Sequence, residues 1–308
     1  MDLKELQDME ARCALKGVFT ADQISNETYH SPGSPGISKS GLDLISKTPH
    51  HYRERYIDVM VENKTKAYLI GDMTHKAILE PALFNDLFAT DEFAVNSLLA
   101  KYKKPRATKE YEAMMEDFAR NYPNKRIVKK EEMDEVLSIV DAVRGNELAS
   151  AMLSGEPGTA EQSFYWSDPE TGVTCKCRVD RMRIEKGYII EFKTSDDAGE
   201  FMRKAAVYRY DVQSAWNSWG VQMVTGEHCP MIFVVVEKTN PSPEKIRFIR
   251  YSIEAMDLAN KVWRENLNTY AQCKKSGIWP GYRCENGNVG LEEISLPAWR
   301  FYKQEGLE

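Results

Sequence analysis

Residues 179–193, Val179-Asp180-Arg181-Met182-Arg183-Ile184-Glu185-Lys186-Gly187-Tyr188-Ile189-Ile190-Glu191-Phe192-Lys193, decide the fold. Val173 to Ile184 alternates around Val179 and Met182, Glu185-Lys186-Gly187 supplies turn chemistry, and Tyr188 to Lys193 is a second, apolar strand. Together they predict a β-hairpin. With the turn at about residue 186, antiparallel partners carry numbers summing to roughly 372, which sets Asp180 opposite residue 192 and beside both Glu191 and Lys193. Glu191 and Lys193 are two apart and project from one face. Acids and a lysine inside otherwise apolar strands are costly unless they meet one another or a metal. Clustered carboxylates suit a hard cation, Mg²⁺ or Mn²⁺, which keeps several waters for a substrate phosphate, and a nearby ammonium can orient or deprotonate such a water. A strand-end salt bridge is the other use of the same trio.

Working outward, Gln162-Ser163-Phe164-Tyr165-Trp166 reads as a short strand before the turn Asp168-Pro169-Glu170-Thr171-Gly172. Glu161, just ahead of it, could be a further ligand or a solvated acid. After the hairpin a long helix is predicted from about Asp197 to Val221, then strands at Met231–Val236 and Ile246–Ser252 and a helix over Ile253–Lys274. Tyr210 and Gln213 share one face of the long helix and could hold a water or a phosphate, or simply pack. Upstream, helices are predicted from Ile37-Ser38-Lys39-Ser40, over Tyr68–Leu79, and at 107–121 and 131–148, with residues 1–36 as an N-terminal arm. Gly71 and His75 fall on one face of the second, where glycine permits close approach and His75 can act as ligand, phosphate donor or packed side chain.

The chain has 308 residues, 42% of them hydrophobic and 29% charged, which excludes disorder and collagen-like architecture. No stretch approaches the roughly 18 uninterrupted apolar residues of a membrane span, and the N-terminus lacks an apolar signal core, so a cytoplasmic protein without membrane partners is expected. None of Cys13, Cys175, Cys177, Cys229, Cys273 and Cys284 is spaced C-x-x-C, and they read as reduced thiols. Cys175 and Cys177 share one strand face, as core residues or as a metal pair. A net charge of −6 argues against nucleic-acid binding by bulk charge, yet residues 101–130 hold ten Lys/Arg against four acids, +6, leaving −12 elsewhere. That segment is a local phosphate-binding surface or a solvated helical face.

Gly71-x-x-x-His75, Glu161, Val179-Asp180, Ile190-Glu191-Phe192-Lys193-Thr194 and Tyr210-x-x-Gln213 occur in the order and spacing of the RecB-like branch of the PD-(D/E)XK nuclease superfamily. Within it the chain most resembles the RecE-type phage recombination exonucleases of the exonuclease VIII kind. Ile37-Ser38-Lys39-Ser40-Gly41-Leu42 and Thr48-Pro49-His50-His51-Tyr52 extend the likeness, which covers roughly residues 29 to 285.

The resemblance implies an α/β restriction-endonuclease-like core, a central mixed sheet flanked by helices with a helical N-terminal part. Its domain would span 37–285, with a helical part over 37–150, a catalytic sheet core over 158–275, and a C-terminal tail over 286–308. It implies Mg²⁺, with Mn²⁺ as a substitute, held by His75, Asp180, Glu191 and the main-chain carbonyl of Phe192. Lys193 and Gln213 would position the attacking water and Tyr210 would support them. Glu191 stands where many relatives carry Asp. The iron–sulfur relatives place one cysteine before the core and three clustered after it; Cys273 and Cys284 do not make that cluster, so none is expected. The implied activity is 5′-to-3′ degradation of linear double-stranded DNA, leaving 3′ single strands for an annealing protein, in a bacterial host carrying phage or prophage. The implied assembly is a homo-oligomeric ring of three or four, whose channel the basic segment, with Lys101, Lys103, Lys104 and Arg106, could line. Ser38 and Ser40 at a helix start are candidates for the terminal 5′ phosphate or ordinary caps. Trp279-Pro280-Gly281-Tyr282 could stack on DNA ends or pack on the core. An endonuclease, a single-strand-specific nuclease, or a non-catalytic DNA-binding protein on the same fold are the competing readings.

Overall fold

A computed structural model describes residues 1–60, 66–156, 159–282, 293–297 and 300. The N-terminal part runs α1 (Leu3–Ala11), β1 (Gly17–Phe19), α2 (Asn26–His30), α3 (Lys39–Lys47), α4 (Pro49–Tyr56), α5 (Lys66–Leu79), α6 (Pro81–Leu87), β2 (Phe88–Thr90), α7 (Glu92–Leu98), α8 (Lys109–Asn121), β3 (Arg126–Val128), α9 (Lys130–Gly145) and α10 (Glu147–Leu153). The remainder runs β4 (Ala160–Ser167), β5 (Thr174–Arg183), β6 (Tyr188–Ser195), α11 (Phe201–Val207), α12 (Tyr210–Thr225), β7 (Met231–Glu237), β8 (Ile246–Ile249) and α13 (Ile253–Ser276). Six strands form one mixed sheet in the order β1-β4-β5-β6-β7-β8, antiparallel throughout except for β6 and β7. β2 and β3 make a small parallel pair.

Parallel strands need a crossover, and α11–α12 supplies it. Both faces of the β6–β7 pair are therefore covered and their apolar runs divide by parity. Ile189, Met231, Phe233 and Val235 pack with α12 and α13, whereas Ile190, Phe192, Val234 and Val236 pack with α9 and α10. Cys175 and Cys177 lie in the first of these cores, and burial pushes both thiols up, so they are core residues. Gly220 on α12 lets the helix lie directly on the sheet: a Cβ there would stand 2.6 Å from Trp166 and 2.8 Å from Cys177 Sγ.

The expected helices are present at 39–47, 66–79, 109–121 and 130–145, and the predicted hairpin is β5–β6. Four expectations change. The single helix over 197–221 is two, α11 and α12, because Arg209 adopts the left-handed conformation (φ 54°, ψ 50°) between them. The last strand stops at Ile249, and Ser252 instead caps α13 by accepting from the Ala255 N–H. Residues 1–36 are packed along their length: β1 pairs with β4, while Leu6, Leu15, Ile24 and Tyr29 bury against Tyr165. The close approach expected at Gly71 is absent among the described residues, since a Cβ there would meet none of their atoms within 4 Å. Cys284 and most of the expected 286–308 tail lie outside the described residues.

Candidate active site

The β5–β6 ladder pairs Arg181 with Ile190, Met182 with Ile189 and Arg183 with Tyr188, one residue tighter than the expected register. It ends where chemistry begins. Asp180 Oδ2 accepts the Phe192 N–H at 2.6 Å, so a side chain takes over the next backbone bond and the strands separate beyond it. The edge of β5 that β6 has left is taken by the chain entering α3: the Ile37 N–H donates to Thr174 O, and the Lys176 N–H to Ile37 O, both at 2.9 Å.

Three groups converge at the opening. His75 from α5, Glu161 at the start of β4 and Asp180 on β5 present ligand atoms all within 4.8 Å of one another. Glu161 reaches in from a left-handed backbone, φ 52°, which removes it from the regular β4–β5 register. His75 Nδ1 stands 3.7 Å from each carboxylate, and its Nε2 lies 3.1 Å from Phe192 O. A carbonyl only accepts, so Nε2 carries the proton and Nδ1 faces the acids. Burial pulls the His75 pKa down, but Asp180 and Glu161 outweigh it and hold it up at about 9. Burial first, then the charge of Glu191, push Asp180 up to about 8. Glu161 feels burial too, yet His75 holds it below the usual range.

On the next strand Glu191 Oε1 accepts from Lys193 Nζ at 2.5 Å and from Gln213 Nε2 at 2.7 Å, while Glu191 Oε2 is buried with no hydrogen-bond partner among the described residues. Burial would lower the Lys193 pKa; Glu191 more than offsets this, and the ammonium stays charged. Lys193 Nζ also stands 4.9 Å from the centre of the Tyr210 ring, which stacks on Phe201, Phe233 and Tyr208. The α11–α12 break therefore aims Tyr210 and Gln213 at the hairpin.

This donor set fits a hard divalent cation. Ligands of an octahedral Mg²⁺ at about 2.1 Å stand roughly 3.0 Å apart when adjacent and about 4.2 Å when opposed; the imidazole stands 3.7 Å from each carboxylate, between those values, and all three ligand atoms lie within 4.8 Å. The orphaned Glu191 oxygen would otherwise cost about 1–3 kcal/mol.

Residues 38–290 match the sequence model of the PDDEXK-like domain of unknown function (DUF3799). The chain belongs to this family. No curated protein matches the sequence. Among solved structures, the crystal structure of a "Putative exonuclease" from Eubacterium rectale superposes with a TM-score of 0.58 at 16% identity, over 92% of this chain and 98% of that one. At that identity the likeness is one of fold.

In this PDDEXK-like domain the other candidate residues are dispersed. Ser38 caps α3, accepting from the Gly41 N–H at 3.5 Å, and Ser40 is exposed. Lys103 and Lys104 are exposed and Lys101 pairs with Glu110 at 3.8 Å. Arg106 is committed to Asp91 and Glu131, bonding both carboxylates with two nitrogens. Trp279 stacks on Tyr52 at 5.4 Å, and Pro280 O accepts from the His50 N–H, so this loop packs on α4. Sequence reading passed over Lys39, Asp43 and Arg209. Lys39 Nζ bonds Asp43 and Tyr208 O at 2.6 Å and lies 5.9 Å from the Tyr210 ring centre. Its signal lay between the two serines already singled out. Arg209 had none, because nothing in Val207-Tyr208-Arg209-Tyr210 announces a helix break.

Proposed function

We propose that this PDDEXK-like domain is a metal-dependent 5′-to-3′ exonuclease acting on linear double-stranded DNA. The observation that carries the reading is Glu191, one oxygen fixed by Lys193 and Gln213 and the other buried without a partner among the described residues, its charge felt by Asp180, which groups in turn with Glu161 and His75. A structural ion pair has no use for that free oxygen. Asp180, Glu191, Glu161, His75 Nδ1 and the second lone pair of Phe192 O would hold Mg²⁺ or Mn²⁺, whose charge stabilises a phosphodiester transition state and acidifies water. Gln213 locks the Glu191 rotamer. Lys193, held as an ammonium, orients an incoming water and offers a proton to the developing charge on phosphate rather than removing one.

The DNA-end reading is supported by a cavity of about 180 Å³ at the start of α3, lined by Ser38, Ser34, Lys176 and Lys274, with Glu10 as an acid paired to Lys274 at 4.0 Å. Its hydroxyls, ammonium groups and helix N–H groups suit a terminal 5′ phosphate. Lys101, Lys103 and Lys104 on the basic segment are the candidates for longer duplex contacts within a ring of three or four subunits. A single-strand annealing protein would take the 3′ strands produced.

The test incubates 5′-phosphorylated linear duplex, unphosphorylated duplex and closed circular duplex with Mg²⁺ or EDTA, alongside Lys193→Ala. The expected result is loss of linear DNA only, faster with the phosphate, and abolished by EDTA and by the substitution. Cleavage of the circle makes the protein an endonuclease. Intact substrates under both Mg²⁺ and Mn²⁺, with duplex binding retained, overturn catalysis.

A further inference from the structure

Arg209 holds a strained backbone and an unspent side chain at the rim of the site. An arginine at φ 54° is uncommon, because its Cβ crowds the following carbonyl, and only a surrounding requirement keeps it there. Part of that requirement is visible: the Arg209 carbonyl accepts from the Gln213 N–H at 3.1 Å and so starts the helix that delivers Gln213 to Glu191. Glycine or asparagine would serve that purpose better. The side chain is what remains to be explained.

Its Nη1 and Nη2 are buried and make no hydrogen bond among the described residues. The nearest carboxylate, Asp43 Oδ1, is 3.3 Å from Nη1 but is itself without a hydrogen-bond partner, so the contact is an ion pair that is not aligned. Asp43 is already satisfied on its other oxygen by Lys39 at 2.6 Å. Lys39 in turn stands over the Tyr210 ring, against which Lys193 also lies. Lys193 and Lys39 thus share the Tyr210 ring, and Arg209 joins them through Asp43, three cations against the carboxylates of Glu191 and Asp43. Two of these cations are matched by close bonds and Arg209 is not. The side chains of Arg209 and Asp43 are 22% and 27% exposed although their facing atoms are buried, so the pair lies close under the surface and the guanidinium must turn to meet a ligand.

We propose that Arg209 is a substrate-binding residue: it turns from Asp43 to make a paired hydrogen bond with a backbone phosphate of the DNA strand being cut, next to the phosphate under attack. A planar fork of donors matches two phosphate oxygens, and little is given up in leaving a misaligned partner that Lys39 continues to neutralise. The inference rests on the nuclease reading for the identity of the phosphate, and on the unpaired guanidinium for its place.

The experiment compares the full-length wild type with Arg209→Gln, Arg209→Lys and Arg209→Gly. It measures kcat and KM on a 5′-phosphorylated linear duplex with Mg²⁺, binding of the same fluorescent duplex in EDTA over a salt series, and Tm. For Arg209→Gln we expect a KM raised about tenfold with kcat within about threefold, and a salt slope reduced by about one. Arg209→Lys restores part of the affinity. Arg209→Gly loses binding like Gln while its Tm is equal to or above wild type, because the backbone strain is relieved. Unchanged KM and duplex affinity in Arg209→Gln and Arg209→Gly, with a lowered Tm, would overturn the proposal and leave Arg209 as a brace for Asp43. If wild type binds duplex without cutting it and the substitutions still weaken binding, the nuclease reading fails and the phosphate contact stands. If wild type cuts and all four proteins share one KM, the phosphate contact alone fails.

Discussion

At Asp180 two demands collide. Burial and the neighbouring Glu191 charge disfavour the carboxylate, while the Phe192 N–H and His75 hold it in place. Asp180→Asn keeps an acceptor for that N–H and removes the repulsion. In EDTA it is expected to raise Tm by a few degrees, for a gain on the order of 1 kcal/mol. It should also erase the stabilisation expected of the wild type on adding Mg²⁺, with calorimetry reading both effects. Lys176 makes the opposite case, a buried ammonium bonded to Tyr29 O and Ser34 Oγ whose pKa burial, helped by Arg178, lowers to about 7. Between about pH 7 and 10 the unfolded chain binds more protons at this site than the folded one, so its contribution to stability rises with pH by up to about 1.4 kcal/mol per unit. His75, raised to about 9, contributes stability that is lost as pH climbs from about 6.5 to 9, and partly masks the trend. Subtracting the Tm–pH curve of Lys176→Met from that of the wild type should expose the rising component; a flat difference would show that Lys176 is not perturbed.

Among the elements, the hairpin was legible because period-two alternation, a Glu-Lys-Gly turn and misplaced charges in Asp180, Glu191 and Lys193 all point the same way. Register arithmetic missed by one residue, because the short helical turn Ile184–Lys186 sets the reversal half a residue earlier than assumed. The split of α11 from α12 was illegible: Phe201 to Trp216 carries helical spacing without Gly or Pro, and the break lies in one backbone torsion. Glu161 was named as a possible ligand, but the conformation that brings it in was not foreseen, since it too depends on a positive φ at a residue that rarely adopts one. Gly220 offered no signal beyond itself, yet it determines how close α12 lies to β4 and β5. Gly220→Ala is expected to cost about 1–3 kcal/mol by forcing the helix off Trp166. Because Gln213 rides on the same helix, nuclease rate should fall along with Tm, whereas an unchanged Tm would mean the sheet yields locally.

For the molecule as a whole, residues 1–36 belong to the folded body. Removing residues 1–31 would uncover Tyr165 and delete Leu6, Leu15, Ile24 and Tyr29, each worth about 1.5–3 kcal/mol of burial. Loss of a cooperative thermal transition is the expected outcome, and a truncated chain that melts like the wild type would refute the packing. The proposed ring predicts three or four copies by sedimentation at assay concentration. A monomer that still degrades kilobases per encounter would exclude it. The two outermost strands of the main sheet bear on how such a ring could close. β1 is three residues long and β8 four, so each margin offers a neighbour only a few backbone groups, too little template for sheet-to-sheet addition between copies. Any closed assembly must then be cemented by side chains of helices and loops, and its seams should yield to single surface substitutions while the sheet beneath stays intact.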